Sequence, residues 1–192
     1  MGRGHKSREH LLEEIGEEVR RCKKCELWKL RRKAVPGEGP GDAKMMIVGQ
    51  SPGRKEDEVG RPFVGPSGKY LNRLLEKAGL RREEMFITSV LHCFLPSGAR
   101  VKGEHVEACV PYLLRQIEVV RPKVMLVLGA VAAEALLGIK DFSEARGKWF
   151  EKFGARVLVT YHPAAGMRFS EVGRGMEGDL EKFAKETKQV RM

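Results

Sequence analysis

Apolar and polar positions change period several times along the chain. From Ser7 onward, Leu11, Leu12, Ile15 and Val19 recur at helical spacing with glutamates between them, which predicts an amphipathic helix over 7–21 capped near Ser7. A stretch rich in Gly and Pro follows at 35–41 and reads as a connector inside the domain. The run Lys44-Met45-Met46-Ile47-Val48-Gly49 has no alternation at all, and short, continuously apolar runs of this kind are strands buried on both faces. The signature returns over 85–91, 124–128 and 156–161. Helical patterns occupy 67–78, 103–120, 130–137 and 178–190. Strands alternating with helices predict an α/β fold: a parallel sheet of four core strands covered by helices on both faces. No repeat or composition shift divides the chain, so residues 1–192 are expected to form one domain with an N-terminal arm. In such sheets ligands gather at the carboxyl ends of the strands, here at 50–53, 89–93, 129–130 and 160–163.

Composition narrows the classes. The 192 residues carry 36 Lys/Arg against 26 Asp/Glu, a net charge of +10, with enough apolar residues (42%) to bury a core. A disordered acidic chain and a disulfide-dense mini-protein are excluded. The most apolar window, 124–138, is interrupted by Glu134 and falls short of the roughly 18 uninterrupted apolar residues of a membrane span. The polar start, Met1 to Lys6, has no apolar signal core, so the expectation is an intracellular, cytoplasmic protein with no membrane partner and a monomeric state. The surplus charge favours a polyanionic partner, since Lys and Arg neutralise phosphates and release counterions. It is concentrated in residues 1–35, with 11 Lys/Arg against 6 Glu. A robust, Lys/Glu/Arg-rich surface fits the same composition.

There are four cysteines: Cys22 and Cys25 as C-x2-C, and Cys93 and Cys109 far apart. Taken singly, Cys93 or Cys109 reads as an apolar filler. A disulfide does not suit an intracellular chain. Together they make one complete set of four thiolates, which both zinc and an iron–sulfur cubane accept. The wide second spacing suits the bulkier cluster somewhat better, and either metal would clip the basic arm beside the strand ends.

Two strand ends carry chemistry. Gly49-Gln50-Ser51-Pro52-Gly53 is a tight turn that brings backbone close to a ligand. It lacks the Gly-Lys-Ser/Thr of a phosphate-binding loop. Its letters match a nucleophile elbow, but the residue after Ser51 is Pro52, which has no N–H to offer an oxyanion. Downstream, Gly60-Arg61-Pro62-Phe63-Val64-Gly65 holds an aromatic ring in a rigid loop. At the last strand end stands Tyr161-His162-Pro163, with Met167 and Arg168 in a Gly-containing loop whose composition suits a groove wedge.

In this order the motifs Cys22-x2-Cys25, 49–53, 60–65, Cys93…Cys109, Arg121-Pro122-Lys123 and His162-Pro163-Ala164 resemble the family 4 uracil-DNA glycosylases over roughly residues 19–170. The resemblance implies a three-layer α/β/α fold around a four-stranded parallel sheet, a [4Fe–4S] cluster on Cys22, Cys25, Cys93 and Cys109, and DNA as partner. It implies that Gly49, Gln50, Ser51, Pro52 and Gly53 line the base pocket and place the attacking water. Phe63 would stack on the flipped base, Glu56 would orient or activate water, and His162 would stabilise the departing uracil anion. The stretch from Ala165 through Met167 and Arg168 would enter the minor groove. No Schiff-base lysine stands out, so a glycosylase without lyase action is expected.

Two positions depart from the family pattern. Gln50 stands where the family usually has Glu, which leaves the turn without a carboxylate. Ser89 stands where an Asn commonly reads uracil's Watson–Crick edge, and a hydroxyl cannot donate and accept in one plane as an amide does. Two alternatives follow: a glycosylase retuned to another deaminated base such as hypoxanthine, and a catalytically weak module that binds damaged DNA.

Overall fold

The computed structural model describes residues 6–190; residues 1–5 and 191–192, which belong to the polar start and the C-terminal tail, lie outside the described residues. Helix α1 (Arg8–Arg21) begins where the pattern places it, with the Ser7 hydroxyl accepting the His10 amide at 3.2 Å. Its buried Ile15 and Val19 pack with Ala34 and Tyr112. Then come β1 (Met45–Gly49), α2 (Arg54–Val59), α3 (Pro66–Lys77) and β2 (Met85–Ser89). The chain continues through α4 (Gly103–Val120), β3 (Val124–Leu128), α5 (Ala130–Leu137) and α6 (Phe142–Ala145). It ends with β4 (Trp149–Lys152), β5 (Ala155–Thr160), α7 (Pro163–Arg168) and α8 (Ser170–Val190).

The sheet order is β2-β1-β3-β5-β4, with every pairing parallel except β4 against β5. The expected four parallel strands are therefore joined by a fifth, antiparallel one. Residues Phe153 and Gly154 turn the β4–β5 hairpin, both at positive φ (57° and 70°), as a two-residue turn matched to strand twist requires. Strand β4 escaped the hydrophobic pattern because it is an edge: Trp149 and Phe150 are half-buried, while Glu151 and Lys152 are exposed. The opposite edge is covered by the Gly/Pro connector, where Glu38 and Ile87 exchange backbone bonds of 2.9 and 2.7 Å.

Strand parity sorts the core into two faces. Met46, Val48, Met125, Val127, Val157 and Val159 pack with Leu113 and Ile117 of α4 and Ala132 and Ala133 of α5. Met45, Ile47, Val124, Leu126 and Leu158 pack with Leu71 and Leu75 of α3 and Leu180 and Phe183 of α8. The result is the three-layer α/β/α arrangement, with strands apolar on both faces because both faces are covered. No described helix is long and apolar enough to cross a membrane. The chain leaves β1 by way of α3 to reach β2, then crosses back over β1 by way of α4 to reach β3. A reversal of this kind opens a crevice at the carboxyl ends of the strands.

The end of β5 is fixed by one buried carboxylate. Asp179 of α8 accepts from the Thr160 hydroxyl at 2.8 Å, from Arg146 at 3.3 Å and from Lys182 at 3.5 Å. Asp179→Ala leaves a fully buried hydroxyl and a guanidinium without their acceptor. Denaturant unfolding is expected to show a loss of about 3 kcal/mol; a loss within experimental error would mean that β5 and α8 are held by apolar packing alone.

Candidate active site

At the carboxyl end of β1 the backbone turns sharply through Gln50-Ser51-Pro52-Gly53. The turn is stitched to the chain leaving β2: Val90 N–H donates to the Gly49 carbonyl and Leu91 N–H to that of Gln50, both at 2.9 Å. A cavity of about 510 Å³ opens above it, lined by Gln50, Ser51, Pro52 and Gly53. Glu56, Phe63, Ser89 and His162 line the same cavity, and Arg168 stands on its wall. Gly49 lies beneath, and Met167 is nearly half exposed and off the lining. Residues far apart in sequence thus meet at one strand-end crevice.

Phe63 takes unusual backbone to get there. It sits at φ 51°, in the left-handed region that a β-carbon disfavours. Phe63 is 7% exposed and packs into the core while also lining the cavity. Two glycines make room: a β-carbon at Gly49 would overlap the ring, and one at Gly68 would overlap the Phe63 carbonyl. Two charged groups hold the loop in place. One oxygen of Glu56, Oε1, accepts the amides of Val64 at 2.8 Å and Gly65 at 2.7 Å. From the other side, Arg82 donates to the carbonyls of Pro62 (2.6 Å) and Phe63 (3.2 Å) while bonded to Asn72 and Glu38. Sequence reasoning missed Arg82 altogether, because no local pattern ties it to a loop twenty residues earlier. It also took Glu56 for a water-activating group alone, and the structure commits one of its oxygens to the backbone.

His162 lines the cavity with Phe63, their ring centres 6.2 Å apart and their planes tilted by 34°. It caps α7: its Nδ1 accepts the Ala164 amide at 3.2 Å. That hydrogen bond assigns the neutral tautomer, leaving the proton on Nε2 as a donor. Burial pulls the histidine's pKa down from 6.5 to about 4, against the opposing pull of the Glu56 charge. Gly129, at φ 88°, lets the ring approach, since a β-carbon there would lie 3.1 Å from that of His162. The stretch expected to be a loop, 165–168, is the body of α7, initiated by Pro163 and the His162 cap. Just beyond it Phe169 is 55% exposed and lines the cavity mouth, a position the sequence did not single out.

The four cysteines are free. Cys22 ends α1, Cys25 precedes a 3-10 turn at Glu26–Lys29, buried Cys93 follows β2, and buried Cys109 lies in α4. They lie close enough to act on one another electrostatically. Burial, then the neighbouring cysteines, push the Cys109 thiol up to about 12, opposed by a bond from the His92 amide; Cys93 is raised by burial and drawn back by Arg31, which donates to it at 3.0 Å. Tyr112 hydrogen-bonds Cys22. Among the described residues, the three metal-binding side chains whose ligand atoms lie mutually within 4.8 Å are Glu26, Glu104 and His105, so the four sulfurs stand wider apart as a set. A single zinc with bonds of about 2.3 Å draws its sulfurs to about 3.8 Å. The donors are thiols alone, which fits a larger thiolate-ligated centre.

The arm that carries Cys22 and Cys25 is docked at several points. Glu26 meets Lys102 at 2.6 Å and His105 at 3.3 Å, Glu18 holds Arg115, and Val35 N–H donates to the His92 carbonyl at 2.8 Å. Asp57 accepts the amides of Arg32 (2.8 Å) and Lys33 (3.4 Å).

Comparison with known proteins gives the lineage. The family model of the uracil DNA glycosylase superfamily matches residues 36–185. The chain is 41% identical to a type-4 uracil-DNA glycosylase of Saccharolobus solfataricus, covering 89% of this chain and 84% of that protein. It is 40% identical to one from Pyrobaculum aerophilum, over 90% and 92% of the two chains. A third, from Thermotoga maritima, is 38% identical over 92% and 94%. The strand-end cavity, with its glycine-bounded aromatic and its helix-capping histidine, thus sits in a chain that belongs to the uracil DNA glycosylase superfamily and, within it, to the type-4 enzymes.

Proposed function

We propose that this chain excises uracil from DNA, hydrolysing the N-glycosidic bond of an extruded nucleotide to leave an abasic site. The observation that carries the reading is that Phe63 and His162 line one cavity with ring centres 6.2 Å apart, His162 holding its Nδ1 on the Ala164 amide. Breaking the bond sends negative charge onto the base and positive charge onto the sugar. A planar base slides against Phe63 in an offset stack. The Nε2–H of His162 then donates to the base oxygen on which charge develops, a donor fixed in advance by its cap on α7. The second oxygen of Glu56, Oε2, stands against Gly53: a β-carbon there would lie 2.8 Å from it. That oxygen orients a water and offsets the cationic sugar, while Oε1 keeps Phe63 in place. Gln50 and Ser51 complete the turn that seats the water. Met167, Arg168 and the exposed Phe169 face the duplex, and extrusion costs least at a mispaired uracil.

Cys22, Cys25, Cys93 and Cys109 would hold a [4Fe–4S] cluster. The bound group would supply a closed structural clip between the basic arm and the domain, and Cys93 and Cys109 would lose their thiol protons to bind it. The partner is DNA, the working state a monomer, and the compartment the cytoplasm in association with the nucleoid. The Ser89 hydroxyl on the cavity wall supports a second reading, in which base choice is retuned towards hypoxanthine. A hydroxyl is too short to read a pyrimidine edge without a bridging water, and the amide of Gln50, with no side-chain partner among the described residues, is the remaining planar reader.

Alkaline cleavage of labelled oligonucleotides carrying U·G, U·A, single-stranded uracil or hypoxanthine tests both readings. Uracil-dependent breaks that fall at least 100-fold in Glu56→Gln are the expected result. Breaks at hypoxanthine alone would transfer the assignment to the second reading, and DNA binding without breaks would leave a binding module. For His162, titration followed by nuclear magnetic resonance is expected to show the Nε2–H tautomer, neutral, from pH 8 down to pH 5; a midpoint near 6.5 would refute the buried donor. Because the folded value lies below the unfolded one, the unfolded chain takes up the proton first. The residue therefore costs nothing above pH 6.5 and costs stability progressively as pH falls from 6.5 to 4. Cys93→Ser is expected to abolish the brown visible absorbance and to lower the melting temperature of the protein; unchanged absorbance would remove Cys93 from the ligand set.

A further inference from the structure

Many cations of this chain are spent on carboxylates: Lys55 on Glu58, Arg61 and Arg82 on Glu38, Lys77 on Glu177, Arg115 on Glu18, Arg156 on Glu186. Arg32, Lys33 and Arg54 make no ion pair among the described residues, and all three are exposed. They are brought together by the fold and not by sequence. Asp57, buried in the first turn of α2, takes the backbone amides of Arg32 and Lys33 and so presses the arm against that helix. The Lys33 side chain runs beside Gly60 at the end of α2, within 3.3 Å of where a β-carbon there would sit. Arg54 opens α2 next to Gly53 of the cavity turn and lies 5.9 Å from the ring centre of Phe94. The one carboxylate among them that reaches the surface is the half-buried Glu58. Lys55, its direct partner, lowers its pKa first, and Arg32 and Arg54 add to the effect, which puts both guanidiniums in its vicinity.

We infer that Arg32, Lys33 and Arg54 form a phosphate rail, gripping the backbone of the DNA strand on the α2 side of the cavity, with Asp57 as the bolt that holds the arm in register. The inference rests on the reading that DNA enters this cavity, and it adds which flank the strand follows. Unpaired cations on a pinned backbone are suited to the task, because an anion meets them without first breaking an ion pair. Arg54, lying over Phe94 and next in sequence to Gly53 of the cavity turn, also offers a stacking surface to a neighbouring base.

The test is the salt dependence of binding to oligonucleotides without uracil, single-stranded and duplex, so that no chemistry intervenes. Wild type is compared with the triple variant Arg32→Gln, Lys33→Gln, Arg54→Gln, and with Arg61→Gln and Arg115→Gln as controls on paired cations. The visible absorbance and melting temperature of each variant report that it is folded. The expected result is that the slope of log K against log salt on single strands becomes shallower by about 2 in the triple variant, at about 0.7 per lost phosphate contact, and stays unchanged in the controls. On uracil substrates KM rises while the single-turnover rate at saturation holds. A triple variant with the wild-type slope would overturn the rail while leaving the DNA reading standing. Wild type that binds neither DNA form would overturn both.

Discussion

One carboxylate oxygen, Oε1 of Glu56, receives two backbone amides, and the site is built around that grip. Phe63 pays for its backbone conformation, of order 1–2 kcal/mol for a residue with a β-carbon. Two hydrogen bonds to a charged acceptor, at roughly 1.5–3 kcal/mol each, outweigh that cost. Arg82 adds its hold on the carbonyls of Pro62 and Phe63 from the other side. The ring is thereby fixed before any ligand arrives. The same helix turn carries Asp57, whose carboxylate holds the arm. Two adjacent acids of α2, a helix of six residues, thus tie the cavity wall and the cysteine-bearing arm to one short element.

Much of this was readable from side-chain order. The uninterrupted apolar runs marked β1, β2, β3 and β5, because strands covered on both faces must be apolar throughout. The patterns over 103–120 and 130–137 coincide with α4 and α5. Strand β4 was not readable, since an edge strand with one wet face looks like a loop. Helix α7 was misread as a loop because its start depends on a histidine acting as cap, a role that residue type does not announce. Of the cavity residues, Gln50 to Gly53 and His162 were legible through motifs at strand ends and Phe63 through its loop motif, while Glu56 and Ser89 were picked out by the family resemblance. Arg82 was not, since its contacts with Pro62 and Phe63 exist only after the chain has closed on itself. The two departures, Gln50 and Ser89, were visible as letters, and the structure gives them meaning by placing both on the same cavity wall.

The thiol set follows a related logic. Cys93 stands just past β2 and Cys109 in the first half of α4, while Cys22 and Cys25 arrive on the arm. Arg31, Tyr112 and the His92 amide each meet one of the sulfurs, so the surroundings of the set are supplied by the arm, by α4 and by the chain leaving β2. The arm's other attachments, Glu18 to Arg115 and Glu26 to Lys102, act at the helix surface and are weak singly. Together they hold the basic stretch 20–33 against the domain.

His162 closes α7 with one ring nitrogen and faces the cavity with the other. Moving the ring proton from Nε2 to Nδ1 would turn Nε2 into an acceptor, offering a lone pair where, on the proposed reading, the base oxygen also offers one. The amide of Ala164 forbids that tautomer for as long as the helix holds its first turn, because Nδ1 must stay an acceptor. The helix thus serves as a lock on the position of a single proton, and fraying of one turn would leave that proton free to sit on either nitrogen.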